Sequence, residues 1–236
     1  MADTAANPKA FIFDCDGTLL DSMGMWLSIQ PEFINAHGIQ VTADDFARFE
    51  HLSLEEECRA YHDVWGICSS GEEVFEQMDA LLRQRYAHAI ESRRGVRSFL
   101  DEARRAGIPM CIASSTPRHL LEIGLERNGL LDYFCGITTT GEVERPKGFP
   151  DVYDLALKRL CSVFGTEEPH HGEVWVFEDA YFGLKGAGDG GYRRVGIFDP
   201  AGRSKREDVR SECEVFIDEF EDLSLDVLLA YRKGEA

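Results

Sequence analysis

The chain has 236 residues, 44% of them hydrophobic, and a formal net charge of −18. That length suits one domain with an insertion and enough apolar material for a sizeable core. The charge argues against nonspecific nucleic-acid binding, which runs on positive surface, and no run of apolar residues is long enough to span a membrane.

The first ten residues, MADTAANPKA, carry no apolar run of the signal-peptide kind. Seven cysteines are scattered with no CxxC pair. Reduced thiols in a cytoplasmic protein are the simplest account. The average field of so acidic a chain repels an anionic substrate. A phosphate site here therefore needs a metal ion and a few well-placed Lys or Arg side chains.

The first short apolar run is AFIFD (10–14). From about Met23 to Arg93 no strand pattern follows. Three helical patterns do: 25–38, 54–66 and 72–90, with Gly66, Ser69, Ser70 and Gly71 marking a turn between the last two. The third puts Val74, Phe75, Met78, Leu81, Leu82 and Tyr86 near one face. We expect a helical cap over 23–93, inserted into a core of 1–22 and 94–236. Its hinges would lie near Leu20–Ser22 and Glu91–Gly95.

Beyond the insertion, β-rich runs alternate with helical patterns. The runs are 109–115, 134–140, 173–179 and 193–199, with 213–217 as a weaker last one. The helical patterns are 96–107, ended by Gly107, then 118–130 and 151–165. Near-continuous apolar strands between helices predict an α/β fold, a doubly wound and mostly parallel sheet covered on both faces. Ligands of such sheets sit beyond the carboxyl ends of the strands. Asp14, Ser114, Ser115, Glu178 and Asp179 fall there.

Asp14 and Asp16 leave the first strand one residue apart, followed by Gly17 and Thr18. A turn at Gly17 would swing Asp16 over the site, and Thr18 could fix it by local hydrogen bonding. Carboxylates this close repel unless a cation separates them or one is protonated. Magnesium, a hard oxygen-seeking ion, fits, with Asp14 as ligand and nucleophile and Asp16 as general acid and base. The same pair could also be only a strand-end turn or a helix cap.

Asp14-Cys15-Asp16-Gly17-Thr18 resembles the first motif of the haloacid-dehalogenase-like superfamily. The other motifs follow in order: Ser114 in CIASSTPR, Lys147 in PKGFPDVY, and Glu178-Asp179 in VWVFEDAYFG. The resemblance covers roughly residues 10 to 230. It implies a phosphate site at Ser114, with the Ser115 and Thr116 N–H groups ahead of a helix. It implies Lys147 as the charge partner of Asp14 and of the transferring phosphoryl group. The metal ligands would be Asp14, Asp16 and Asp179, with Glu178 beside them. The second aspartate, which dehalogenases and phosphonate-cleaving members lack, favours phosphate esters. The residues after the nucleophile do not match the Lys-Thr-Gly-Thr of transporter ATPases.

The order of the insertion is similar to the β-phosphoglucomutase-like and phosphoglycolate phosphatase-like branch. Mutases of that type carry a cap histidine where Trp26 stands here, which favours hydrolysis. Arg48 matches a cap arginine that grips a second phosphate, which keeps transfer open as the alternative. Met25 and Trp26 line the substrate entrance or belong to the cap core. His51 and His62 read as structural or solvated, His170 and His171 as surface, and Arg118 as a residue near Ser114 that could touch substrate. The expected function is a magnesium-dependent phosphatase of a small phosphorylated metabolite, a sugar or polyol phosphate. A silent relative that only binds phosphate or a partner is the alternative outside enzymes. The sequence fixes no oligomeric state.

Overall fold

The computed structural model describes residues 8–42, 45–46, 49 and 52–231. Six strands form one sheet: β1 (Ala10–Phe13), β2 (Met110–Ser114), β3 (Ile137–Thr139), β4 (Val174–Glu178), β5 (Arg193–Ile197) and β6 (Val215–Ile217). Their order is β3-β2-β1-β4-β5-β6 and every pairing is parallel. The expected fold class is borne out, and the weak sixth run is a true edge strand.

β1, β2 and β4 are buried along their whole length, as strands covered on both faces must be. Alternation along them divides the core. Phe11, Phe13 and Phe177 point to one face, where Phe13 stacks on Phe177 at 4.3 Å and Phe99 and Phe220 complete an aromatic cluster. The smaller Ala10, Ile12 and Ala113 face the other side.

Helix α4 (Val96–Arg105) covers the aromatic face with Val96, Phe99, Leu100 and Ala103, and α5 (Arg118–Arg127) adds Leu120, Leu121 and Leu125. On the opposite face lie α6 (Asp151–Phe164) and α7 (Tyr181–Asp189). Short helices α8 (Arg206–Ser211) and α9 (Leu225–Ala230), which leave no clear periodicity in so few residues, end the chain.

Among the described residues, everything between β1 and α4 that is regular is helical. α1 runs Met23–Ala36, α2 Leu54–Trp65 and α3 Gly71–His88. Ser53 and Glu56 form a reciprocal capping box at the start of α2, and Gly66, with φ of 66°, ends it. Ser70 caps α3 by accepting from the Glu73 N–H. His62 is structural: its Nδ1 lies 2.9 Å from the Ile67 carbonyl. Arg48 and His51 lie outside the described residues.

The two chain crossings into this helical layer are stitched together. Asp21 N–H donates to Glu91 O at 2.9 Å, Arg93 N–H to Leu19 O at 2.9 Å, and Leu20 bridges Ser92 in antiparallel sense. The Arg93 side chain, 7% exposed, then reaches Gly17 O at 2.8 Å, Phe198 O at 3.1 Å and Asp218 O at 2.8 Å, with Asp199 3.4 Å away. One guanidinium so ties the crossings to the ends of β1, β5 and β6.

His170 is exposed, as read from the sequence. His171 is not simply surface: it is half-buried and stacks on Tyr192 at 4.2 Å.

Gly95 starts α4 with φ of 79°, and a Cβ there would sit 2.3 Å from the Glu221 backbone nitrogen. Gly95→Ala should cost about 2–4 kcal/mol of stability, from backbone strain and overlap with an immovable neighbour. Urea denaturation measures it, and a loss below about 1 kcal/mol would contradict this packing.

Candidate active site

β1 lies where the strand order reverses, with β2 on one side and β4 on the other. This is the switch point at which open α/β sheets form their crevice. The register sets the chemistry there. Phe13 pairs with Phe177, and Asp14 N–H donates to Phe177 O at 2.9 Å, so Asp14 and Glu178 leave neighbouring strands side by side. Asp179 follows at once. One oxygen from each of Asp14, Glu178 and Asp179 lies within 4.8 Å of the others, and all three residues are buried.

Lys147, 3% exposed, enters from the loop before α6. Its Nζ donates to Asp14 Oδ1 and lies 2.8 Å from Glu178 Oε2. Burial opposes its charge, but Asp14 and Glu178 outweigh that and raise its pKa. Glu178 is further held by Tyr153 OH at 3.1 Å and Ala180 N–H at 3.3 Å. Asp179 is served far less well: Thr18 Oγ1 approaches its Oδ1 at only 3.5 Å.

Three buried carboxylates against one ammonium leave two negative charges in excess. Burial, opposed in part by Lys147 and reinforced by Glu178 and Asp16, pushes the Asp14 carboxyl up to about 7. Burial first, then Asp14 and Glu178, lifts Asp179 well above the carboxylate range. Hard oxygen donors, close spacing and a double charge excess fit a magnesium ion. Cys15, between the two aspartates, is wholly buried, and burial with the Asp16 and Asp14 charges raises its thiol, so it is not a nucleophile.

Asp16 stands apart from the trio, which differs from its expected place among the ligands. Both of its oxygens are occupied by hydroxyls. Ser22 Oγ and Tyr86 OH each donate to Oδ1 at 2.6 Å, and Thr116 Oγ1 donates to Oδ2 at 2.7 Å. Ser22, at the N-cap of α1, spends its hydroxyl on Asp16 instead of capping the helix. Tyr86 comes from α3 and is fully buried. Gly124 on α5 makes room for it, since a Cβ there would meet the Tyr86 ring at 2.8 Å. Trp26 Nε1 donates to Tyr86 OH at 3.0 Å, which gives that half-buried indole a part in the site.

Ser114 ends β2 nearly fully buried, and the Thr116 N–H donates to its Oγ at 3.2 Å. That donor, expected to face phosphate, is taken up locally, while Ser115 is exposed. Arg118 turns away as well: it donates to Ile137 O and lies 3.5 Å from Glu142.

The residues missed by sequence reasoning are Ser22, Tyr86 and Arg93. Only Ser22, six residues after Asp16 in the same turn, left a local signal.

The sequence profile of the haloacid dehalogenase-like hydrolases matches residues 11–197. The chain belongs to this family. YhcW of Bacillus subtilis is 31% identical over 165 residues, covering 64% of this chain and 69% of that protein. The phosphorylated carbohydrates phosphatase of Thermotoga maritima is 26% identical over 187 residues, covering 79% and 83%. The structure of β-phosphoglucomutase from Clostridium difficile superposes with a TM-score of 0.70 over 93% of this chain and 95% of that one. At 17% identity that last likeness is one of fold. The expected superfamily and enzyme class, a phosphatase on a haloacid-dehalogenase-like core, are borne out.

Protons compete with a divalent ion for Asp14 and Asp179, because a carboxylate must be ionised to ligate. Magnesium should therefore raise the melting temperature of this hydrolase more at pH 7.5 than at pH 5.5. A shift equal at both pH values, read by scanning calorimetry, would contradict binding at these carboxylates.

Proposed function

We propose that this hydrolase is a magnesium-dependent phosphatase of a small phosphorylated metabolite, acting through an aspartyl-phosphate on Asp14. The observation that carries the reading is the buried trio of Asp14, Glu178 and Asp179 with Lys147 seated against two of them. Asp14, Asp179 and Glu178 would hold magnesium, which would supply positive charge to the phosphoryl oxygens. The insertion, residues 23–93, acts as the cap over a core of 1–22 and 94–236 and keeps bulk water from the reacting group. Free cysteines throughout agree with a cytoplasmic setting.

Lys147 orients Asp14 by holding Oδ1. Asp14 attacks phosphorus, the ester P–O bond breaks, and its electron pair leaves on the alcohol oxygen. Asp16, carrying a proton into this step and turned from its hydroxyl partners by a side-chain rotation, gives that oxygen its proton and becomes a carboxylate. It then takes a proton from the water that attacks the aspartyl-phosphate, and phosphate leaves. Ser114 and the exposed Ser115 flank the phosphoryl group on the β2 side.

Hydrolysis is favoured over transfer by Trp26. It stands where the mutase histidine is expected and points its indole N–H at Tyr86, so no imidazole couples substrate to Asp16 from that position. The name of the Thermotoga maritima relative supports a sugar or polyol phosphate as substrate. A silent relative is disfavoured because Asp14, Asp16, Ser114, Lys147 and Asp179 are all present.

Wild type should release aryl oxide from a chromogenic aryl phosphate with magnesium and lose that activity in excess chelator. Asp14→Asn should lower kcat at least about a thousandfold. Equal rates in the two proteins would remove Asp14 as nucleophile. Incubation with β-glucose 1-phosphate and a bisphosphate activator should give inorganic phosphate, whereas glucose 6-phosphate would identify a mutase.

Asp16→Asn should slow alkyl phosphates about tenfold more than aryl phosphates, since aryl oxide leaves with little help from an acid. The same loss on both would contradict the acid role.

A further inference from the structure

Arg93 stands at the second crossing between the sheet and the helical layer, outside the carboxylate trio. Burying a guanidinium is costly unless its donors are used. Asp199 Oδ2 lies 3.4 Å from Nη1 and Glu219 Oε2 lies 3.5 Å from Nε, both longer than the bonds to backbone. The short contacts go to carbonyls: Gly17 O from Nη1 at 2.8 Å, and Asp218 O and Phe198 O from Nη2 at 2.8 and 3.1 Å. The geometry is that of a fork spanning three backbone segments, with two acids beside it.

One of those segments is the tight turn that carries Asp16. Leu19 and Leu20 N–H both donate to Cys15 O at 2.9 Å, and Gly17 N–H donates to Leu20 O at 2.9 Å. These bonds close the turn without using the carbonyls of Gly17 and Leu19. Arg93 takes both, the first with its guanidinium and the second with its backbone N–H at 2.9 Å.

Gly17 is the soft point of this turn. It has φ of 82° and no side chain to hinder rotation of the peptide that follows it. Asp16 lies immediately before Gly17. Thr18, whose hydroxyl approaches Asp179, lies immediately after. Gly17 itself rests against Asp179, since a Cβ there would stand 2.4 Å from Asp179 Oδ2. The bond to Gly17 O fixes the plane of the Gly17–Thr18 peptide where glycine alone would leave it loose.

We propose that Arg93 is a positioning residue for Asp16. The inference rests on the phosphatase reading above, with Asp16 as the acid, and adds to it what aims that acid. Asp16 has to rotate between its hydroxyl partners and the departing oxygen. Such a rotation delivers the proton to one point only if the backbone beneath it stays still. Arg93 supplies that fixed base from the crossing, so the seating of the helical layer is felt at the turn.

Kinetics at saturating magnesium compare n-hexyl phosphate with 4-nitrophenyl phosphate in wild type, Arg93→Lys, Asp16→Asn and the double variant. Lysine keeps the charge beside Asp199 and Glu219 but presents its donors from one point, so it cannot span the three carbonyls. Arg93→Lys should lower kcat/KM for the alkyl ester about fivefold more than for the aryl ester, because the alkyl oxygen needs the proton. In the Asp16→Asn background the same substitution should leave the ester ratio unchanged within about twofold, since the group it positions is gone. A purely structural clamp slows both esters alike, or acts equally in both backgrounds, and either result overturns the proposal. An ester ratio that Asp16→Asn itself leaves unchanged removes the acid and overturns it too. Arg93→Gln is the second variant, and failure of both Arg93 variants to show a cooperative melting transition assigns Arg93 to the fold alone, against the proposal. Failure of wild type to hydrolyse either ester sinks the phosphatase reading as well.

Discussion

The structure is organised around an electrostatic imbalance. Asp14, Glu178 and Asp179 converge in a buried crevice where, among the described residues, Lys147 is the one cation paired with them. In water such a set would be unremarkable, but out of water each unbalanced charge is costly. The sheet makes the imbalance unavoidable, because the β1–β4 register places Asp14 beside Glu178 and lets the next residue, Asp179, complete the trio. The aromatic cluster behind β1 and β4 keeps that register rigid. A fold that concentrates like charge this tightly needs either protons or a hard cation.

Asp16 belongs to a second circuit. Its carboxylate collects hydroxyls from the start of α1, from α3 and from the loop after β2. One of those donors is linked in turn to Trp26. The first circuit therefore lies wholly in the core, whereas the second needs the helical layer in place. This separation gives two carboxylates of one short motif different surroundings. The carboxylate trio and its lysine are built onto the sheet, whereas the surroundings of Asp16 depend on the helices over it.

Much of this was legible in the residues. Apolar runs that end in acids gave the strands and their edge, and the family resemblance carried by Asp14, Ser114, Lys147 and Glu178-Asp179 implied the acidic set, with Asp16 counted in it, and its lysine. What stayed hidden depends on contacts that no local pattern encodes. Tyr86 sits seventy positions from Asp16 and reads as one more apolar residue on a helix face. Arg93 looks like any charged residue before a helix, yet it is buried among three strand ends. The Thr116 N–H, which a helix-terminus argument assigns to phosphate, is claimed by the Ser114 hydroxyl just ahead of the Pro117 N-cap. Arg118 is drawn off by a strand-end carbonyl that only tertiary structure brings near.

The stitched pair of crossings at Leu20 and Ser92 has an evolutionary meaning. Because the polypeptide leaves the core and re-enters it at adjacent backbone positions, the sheet is indifferent to the length and content of what is spliced between them. Such a junction is a docking port for interchangeable modules: a different helical roof can be joined there while the strand ends that gather Asp14, Glu178 and Asp179 stay in place. Any replacement would still have to supply Asp16 with the hydroxyl that Tyr86 lends it across that seam.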